Sequence, residues 1–287
     1  VSVTAIVVNY NAGDLLLECV QSLLDNRVTD VRVVDNASTD GSFERLRGRY
    51  GRDAAVRTLA NPANLGFGRA VNGLLPALER PLVLVINPDC RLEPGALAAL
   101  TAALDTHPDA ALAGPRVEDD RGRLEAACCR HFPTPRRALF TLSGLARLAG
   151  TFPALAGVAV PGAAELRQTT PVEATSGACM LLRREAFRDV GGFDEAYALH
   201  CEDLDLMVRL RAAGWATLFV PAARAVHAKG VSSASRPLWV HRQKHRGMAR
   251  FFRSHLASAH AFPVRLLVRL GIWAHWALLW PLAWVRR

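Results

Sequence analysis

A chain of 287 residues, 51% of them hydrophobic, is long enough to enclose a full enzyme core, as one large α/β domain or two smaller ones. The net charge of +9 is unevenly spread: 14 of the 35 Lys and Arg lie beyond Asp205, where there is no Asp or Glu, leaving 21 basic against 26 acidic residues before it. None of the six cysteines (Cys19, Cys90, Cys128, Cys129, Cys179, Cys201) forms a C-x-x-C pair, which excludes the usual zinc and redox-dithiol patterns; with no disulfide framework and no secretory-signal pattern, a reducing cytosol is the expected home.

Up to residue 115 the chain alternates between strand and helix patterns. Val3–Val8 reads as a buried strand and Asp14–Asp25 as a helix with Leu16, Val20, Leu23 and Leu24 on one face. Strand Val31–Asp35, helix Gly41–Tyr50, strand Ala55–Leu59 and helix Gly66–Leu78 follow, then strand Leu82–Asn87, helix Pro94–Thr106 and strand Ala110–Gly114. Short apolar runs between amphipathic helices predict a mostly parallel, Rossmann-like sheet with helices on both faces. Residues 121–172, with Pro133, Pro135, Pro153, Pro161 and Pro171, read as loops around a short helix near Arg136–Leu148. Strand Ala178–Arg183, helices Arg184–Asp189 and Glu202–Ala213, and a last strand Thr217–Val220 complete a first domain, 1–236.

The second unit, 237–287, is a helical extension. Arg242, Arg246, Arg250 and Arg253 share one side of its first helix, while Val240, Met248, Phe251 and Phe252 take another. The tail from Leu266 to Val285 carries Trp273, Trp276, Trp280 and Trp284 but is interrupted by Arg269, His275 and Pro281. That falls short of a clean membrane span and fits a helix lying in an anionic membrane surface, or one packed on the body or on a second copy of the chain in a homodimer. The charge is not assigned to nucleic acid, because no recognised nucleic-acid module is present.

In an open α/β sheet, ligands bind beyond the carboxyl ends of the strands. Those ends read Val8-Asn9-Tyr10-Asn11, Asp35-Asn36-Ala37-Ser38-Thr39-Asp40-Gly41-Ser42 and Asn87-Pro88-Asp89, and none has the G-x-G-x-x-G spacing of a dinucleotide fold. Asp35 suits a pyrimidine N–H or a ribose hydroxyl, or equally a turn capped by Ser38 or Asp40. Asp89 suits Mg²⁺ or Mn²⁺ beside a diphosphate, or a plain Asn-Pro-Asp turn. Glu202 and Asp203 suit a general base, or acids that oppose a helix dipole. His227 suits a coordination shell, or a structural histidine.

The ordered set of these blocks resembles glycosyltransferase family 2, of GT-A fold, over roughly residues 3–232. Its most specific pieces are Val7-Val8-Asn9-Tyr10-Asn11, Val34-Asp35-Asn36-Ala37-Ser38-Thr39-Asp40-Gly41-Ser42, Asn61-Pro62-Ala63-Asn64-Leu65-Gly66-Phe67-Gly68 and Asn87-Pro88-Asp89. Ser176-Gly177-Ala178, Gly191-Gly192-Phe193-Asp194-Glu195, Glu202-Asp203-Leu204-Asp205-Leu206, Gly214-Trp215 and His227-x-x-Gly230-x-Ser232 continue the series. The form is most similar to bacterial rhamnosyltransferases of cell-surface polysaccharide assembly.

The resemblance implies that Asn9 and Asp35 hold the pyrimidine and ribose, with Asn64 and Gly66 lining the nucleotide pocket. It implies that Asp89 is the last Asp of a metal-binding D-x-D motif whose first Asp is here Asn87, and that His227 reaches the metal or diphosphate. Asp203 takes the place of the general base, with Glu202 beside it. The implied reaction is an inverting transfer from a dTDP-sugar, rhamnose favoured, or a UDP-sugar to a glycan or lipid-linked acceptor, using Mg²⁺ or Mn²⁺ at the cytoplasmic face of the cell membrane. Two other readings are a catalytically silent sugar-nucleotide-binding subunit, which Asn87 favours, and a nucleotidyltransferase, whose Gly-rich loop would stand where Asn9-Tyr10-Asn11-Ala12-Gly13 does.

Overall fold

The computed structural model describes residues 2–228 and 237–285, without the side chains of 282–285. Gly230 and Ser232 of the last sequence block, and the Trp284 side chain, lie outside the described residues. Seven elements alternate first: β1 (Val3–Asn9), α1 (Leu15–Asp25), β2 (Val31–Asp35), α2 (Ser42–Tyr50), β3 (Val56–Ala60), α3 (Phe67–Asn72) and β4 (Leu82–Ile86). The helix expected over Gly66–Leu78 ends at Asn72 and gives way to a 3₁₀ turn at Leu75–Ala77, where Pro76 has no N–H to continue the ladder. Then come β5 (Cys90–Leu92), α4 (Ala96–Thr106), β6 (Ala110–Glu118), α5 (Pro135–Ser143), β7 (Thr170–Val172), β8 (Cys179–Arg183), α6 (Arg184–Asp189), α7 (Glu202–Ala212) and β9 (Ala216–His227). α5 stops at Gly144, which takes φ +79°, a left-handed cap that glycine adopts without strain.

The sheet runs β3-β2-β1-β4-β8-β6-β9-β5, with β7 on β9. β1 to β4 pair in parallel, as do β6 and β9, whereas β8 enters antiparallel between β4 and β6. This mixed GT-A-type sheet has helices on both sides because successive residues of a strand face opposite ways. Val3, Ala5 and Val7 of β1 join one apolar cluster with α1, α2 and α4, and Ile6 and Val8 join the other with α3, α6 and α7. The antiparallel entry matters for the site. β8 starts at the edge where β1, β2 and β4 finish, so Cys179 pairs with Ile86 and Asn87 N donates to Ala178 O at 2.8 Å.

The last two helices are α8 (Pro237–Phe251) and α9 (Phe262–Val285). α8 is part of the body: Phe251 joins the second apolar cluster, and Phe252 just beyond it is also buried. Arg250 pairs with Asp194 at 2.7 Å, and His255 lies 2.7 Å from Asp205 on α7. α9 rests on α8 through His241 against the Trp276 carbonyl (3.0 Å) and His245 against His275 (2.9 Å), and otherwise leaves Leu267, Leu270 and Leu278 exposed. It starts earlier than the sequence pattern suggests. Phe262–Pro281 is long and apolar enough to cross a membrane by length and composition, and none of it is buried.

Candidate active site

The carboxyl ends of β1 and β2 lie side by side, with Asn9 in register with Asp35. Asn9 Nδ2 donates to Asp35 Oδ1 at 2.7 Å, to Ser42 Oγ at 2.9 Å and to Ser38 Oγ at 3.0 Å. Asp35 also accepts from Ser38 Oγ at 2.6 Å and Ser38 N at 2.9 Å. Asn9 is fully buried and Asp35 nearly so, so the Asn9 amide aims and anchors the acid rather than standing at the pocket surface. The two loops are cross-tied: Asn11 N donates to Ser38 Oγ, Thr39 N to Asn11 Oδ1 and Gly13 N to Asp40 Oδ2. Asn64 closes a tight turn by accepting from Gly66 N at 2.9 Å, and Asn36 Nδ2 reaches Gly66 O at 3.3 Å while Asn36 Oδ1 accepts from Asn61 Nδ2 at 2.8 Å. The Asn61–Gly66 loop is thereby pinned over the end of β2, with Asn64 exposed.

Asp89 follows β4, and its backbone carbonyl accepts from Ala228 N at 2.9 Å. β5 and β9 pair Cys90 with His227, which sets the imidazole beside the acid: His227 Nε2 is 3.1 Å from Asp89 Oδ1, and Nδ1 is 2.9 Å from Glu125 Oε1. Burial opposes charge on this ring, but hydrogen bonds to Asp89 and Glu125 outweigh it and lift its pKa to about 9. Two neighbouring ligands of Mg²⁺ or Mn²⁺ stand roughly 3 Å apart, so this oxygen and nitrogen fit adjacent corners of one coordination shell. Glu125 supplies the carboxylate that typically orients a ligating histidine through its other nitrogen. Among the described residues no cluster of three or more metal-type side chains occurs, so the remaining ligands would be water and substrate phosphate. Among the described residues Asn87 makes no side-chain hydrogen bond to this pair; its backbone ties β4 to β8.

Asp203 opens α7 and reaches the same edge of the sheet through Gly177, just ahead of β8. A Cβ at residue 177 would stand 2.8 Å from Asp203 Cβ and 3.0 Å from Oδ2, so only glycine admits the acid there. Arg130 Nη2 donates to Asp203 Oδ2 at 2.5 Å and to Thr175 O at 2.9 Å. Leu204 N donates to the other oxygen, Oδ1, at 2.8 Å. Before the helix, His200 and Cys201 both take left-handed φ, +66° and +70°, a strained turn for residues with side chains. α8 holds that turn down. Gly247 lies so close to His200 O that a Cβ would be 2.7 Å away.

Glu202 is different in kind from its neighbour. Burial, and then the charge of Asp203, raise its pKa to about 8, and its Oε2 is buried with no partner among the described residues. The ordinary value is 4.5, so the folded chain binds this proton more tightly than the unfolded one. Its contribution to stability is therefore complete below about pH 4.5 and is lost as pH rises through about 8. Glu202→Gln, neutral throughout, is expected to match the wild type near pH 4.5 and to exceed it by a few kcal/mol, on the order of 2–4, at pH 8.5. Urea unfolding at the two pH values checks this; an equal gap between the two proteins at both would show that Glu202 is not the group that titrates.

The edge of the sheet thus brings together Asn9, Asp35, Gly66, Asp89, His227 and Asp203, joined by strand pairing and direct contacts. Two residues in direct contact with this set escape the sequence reading. Glu125 and Arg130 both come from the irregular segment after β6, where no periodicity or motif marks them; Arg130 is placed by backbone bonds with Ala174, at 2.9 and 3.0 Å.

The family model described as "Glycosyltransferase like family 2" matches residues 2–249. Over 251 residues the chain is 34% identical to N-acetylglucosaminyl-diphospho-decaprenol L-rhamnosyltransferase of Mycobacterium tuberculosis, covering 81% of this chain and 78% of that protein. Among solved structures, GalNAc-T7 with UDP, GalNAc and Mn²⁺ matches with a TM-score of 0.63 at 14% identity, covering 88% of this chain and 47% of that one. Mannosyltransferase PcManGT from Pyrobaculum calidifontis, with GDP-Man and Mn²⁺, matches with a TM-score of 0.58 at 18% identity, covering 99% of this chain and 72% of that one. At these identities the two structures speak for the fold alone.

Proposed function

Because the chain belongs to glycosyltransferase family 2, we propose that it moves rhamnose, with inversion, from a nucleoside-diphosphate donor to a lipid-linked acceptor of cell-surface glycan assembly. The observation that carries this reading is the placing of Asp203 against Gly177, at the sheet edge that also presents Asp35 and Asp89. Asp35, fixed by Asn9 and Ser38, receives the nucleoside, and the Asn61–Gly66 loop closes over it. Asp203 takes the proton of the acceptor hydroxyl as its oxygen bonds to the anomeric carbon, and the bond from that carbon to the diphosphate breaks on the opposite face. Arg130 holds Asp203 Oδ2 in place until the acceptor arrives. Asp89 and His227 would hold Mg²⁺ or Mn²⁺, which would neutralise the leaving diphosphate. Glu125 keeps His227 turned toward Asp89.

The donor is dTDP-rhamnose on this reading, and the acceptor carries N-acetylglucosamine on a lipid diphosphate, as the name of the mycobacterial relative suggests. We place the protein at the cytoplasmic face of a membrane, held by the exposed apolar side of α9 and the arginines of α8. The decisive measurement pairs thermal shifts for dTDP-, UDP- and GDP-sugars, with and without Mn²⁺, with mass spectrometry of the product on vesicles that carry the acceptor. The expected result is the largest shift for dTDP-rhamnose with Mn²⁺ and the gain of one deoxyhexose, with the protein floating alongside anionic vesicles. Gain of another sugar removes the donor assignment, no product with any donor removes the activity, and failure to float removes the membrane assignment.

A further inference from the structure

A groove of about 830 Å³ opens between α8, α9 and the loop Ala196–Ala198. Arg246, Arg250, Arg253, Arg265 and Arg269 line it, and no Asp or Glu is among its lining residues. Arg250 is engaged by Asp194, and Arg265 Nε donates to His260 O at 2.6 Å. Arg246, Arg253 and Arg269 make no ion pair or hydrogen bond among the described residues, and Arg246, Arg253 and Arg269 are exposed. Like charges gathered in one concavity repel, and guanidinium forks without acceptors are completed by an anion of more than one charge, phosphate oxygens above all. The same groove is lined by Trp239, Phe262, Leu266 and Trp273, so its ligand has a greasy part next to its charged one. From there the exposed apolar side of α9 continues past Leu270 to Leu278.

The groove adjoins the chemistry. Its wall at Ala196–Ala198 leads within a few residues to Glu202 and Asp203, and Gly247, also in the lining, packs on His200 O. The other side of that wall faces the donor pocket, since a Cβ at Gly66 would lie 4.0 Å from Ala198 O. One loop thus separates the place for the nucleotide from the place for an anionic lipid. We propose that this groove binds the diphosphate and first isoprene units of the acceptor lipid, with Arg246, Arg253 and Arg269 as the diphosphate ligands. The assignment of this lipid as acceptor rests on the sugar-transfer reading; the binding of an isoprenoid diphosphate does not.

The test uses the full chain and farnesyl diphosphate as probe, followed by the fluorescence of the groove tryptophans and by calorimetry. Farnesyl diphosphate is expected to bind at least tenfold more tightly than farnesol. The double variant Arg246→Gln/Arg253→Gln is expected to weaken it at least tenfold while the thermal shift given by the sugar nucleotide stays unchanged. Equal affinity in the variant and the wild type overturns the proposal, as does a variant that loses nucleotide binding to the same degree. It is also overturned if farnesyl diphosphate does not bind and the two arginines affect only flotation with phosphatidylglycerol vesicles, which would make the groove a membrane contact. Specific farnesyl diphosphate binding in a protein that transfers no sugar leaves the groove standing and removes the proposed activity; sugar transfer without that binding does the reverse.

Discussion

Asp203→Asn is expected to lower turnover by about 10²–10⁴-fold while leaving donor affinity within a few-fold of wild type, because the amide keeps the shape of the acid and cannot take a proton. The side chain sits where nothing larger than glycine at 177 would let it sit, and both its oxygens are already held, by Arg130 and by Leu204 N. Asparagine can keep one of those bonds. It removes the charge opposite Arg130, a pair that is only 16–18% exposed, so a stability loss of about 1–3 kcal/mol should accompany the kinetic effect. Arg130→Gln separates the two. It should reproduce the stability loss with a much smaller fall in turnover, since the carboxylate remains. Single-turnover rates and urea unfolding of both variants decide the matter, and an Asp203→Asn protein retaining more than about a tenth of its turnover would take the base role away from this residue. Glu202, whose pKa burial and the charge of Asp203 raise to about 8, is expected to be the poorer base at neutral pH.

How much of this is legible in the sequence depends on how local the signal is. β1, β2 and β4 are short apolar runs buried on both faces, and their ends carry Asn9, Asp35 and Asn87, so strand pattern and site residues are found together. β5 and β7 are three residues each and stand on β9 alone, too short for any periodicity. β9 itself runs on to His227 through Pro221 and two small residues, a pattern that reads as the end of a strand at Val220. That longer strand is what carries His227 to Asp89. The antiparallel sense of β8 has no local signature either, yet it delivers Gly177 to the carboxyl edge and gives Asp203 its seat. Asn9 shows the opposite case. Its position is evident, but only the fold shows that it is fully buried and that its amide is engaged by Asp35, Ser38 and Ser42. Glu125 and Arg130 depend wholly on tertiary contact, as do the arginines of α8, whose common side is plain in the sequence while the groove they line with α9 is not.

Asp89→Ala is expected to lower kcat/KM by about 10²–10³-fold and to abolish the part of the donor's thermal shift that requires Mn²⁺. Among the described residues the pair placed to share one cation is Asp89 Oδ1 and His227 Nε2, 3.1 Å apart, so removing one halves that share of the shell. His227 would remain on Glu125 at 2.9 Å, a nitrogen ligand with no oxygen partner, which suits these hard cations poorly. Glu125→Gln should have a graded effect of about 10–100-fold on apparent Mn²⁺ affinity, because it changes the orientation and basicity of the histidine and removes no ligand. Asn87 sharpens the comparison. If it plays the part of the missing acid, Asn87→Asp should tighten Mn²⁺ binding in the same titration, and if its main task is the backbone bond to Ala178 it should leave that binding unchanged. A full Mn²⁺-dependent shift in Asp89→Ala would place the cation away from this edge, and with it the charge stabilisation of the leaving diphosphate would have to come from the chain's own guanidinium and backbone N–H groups.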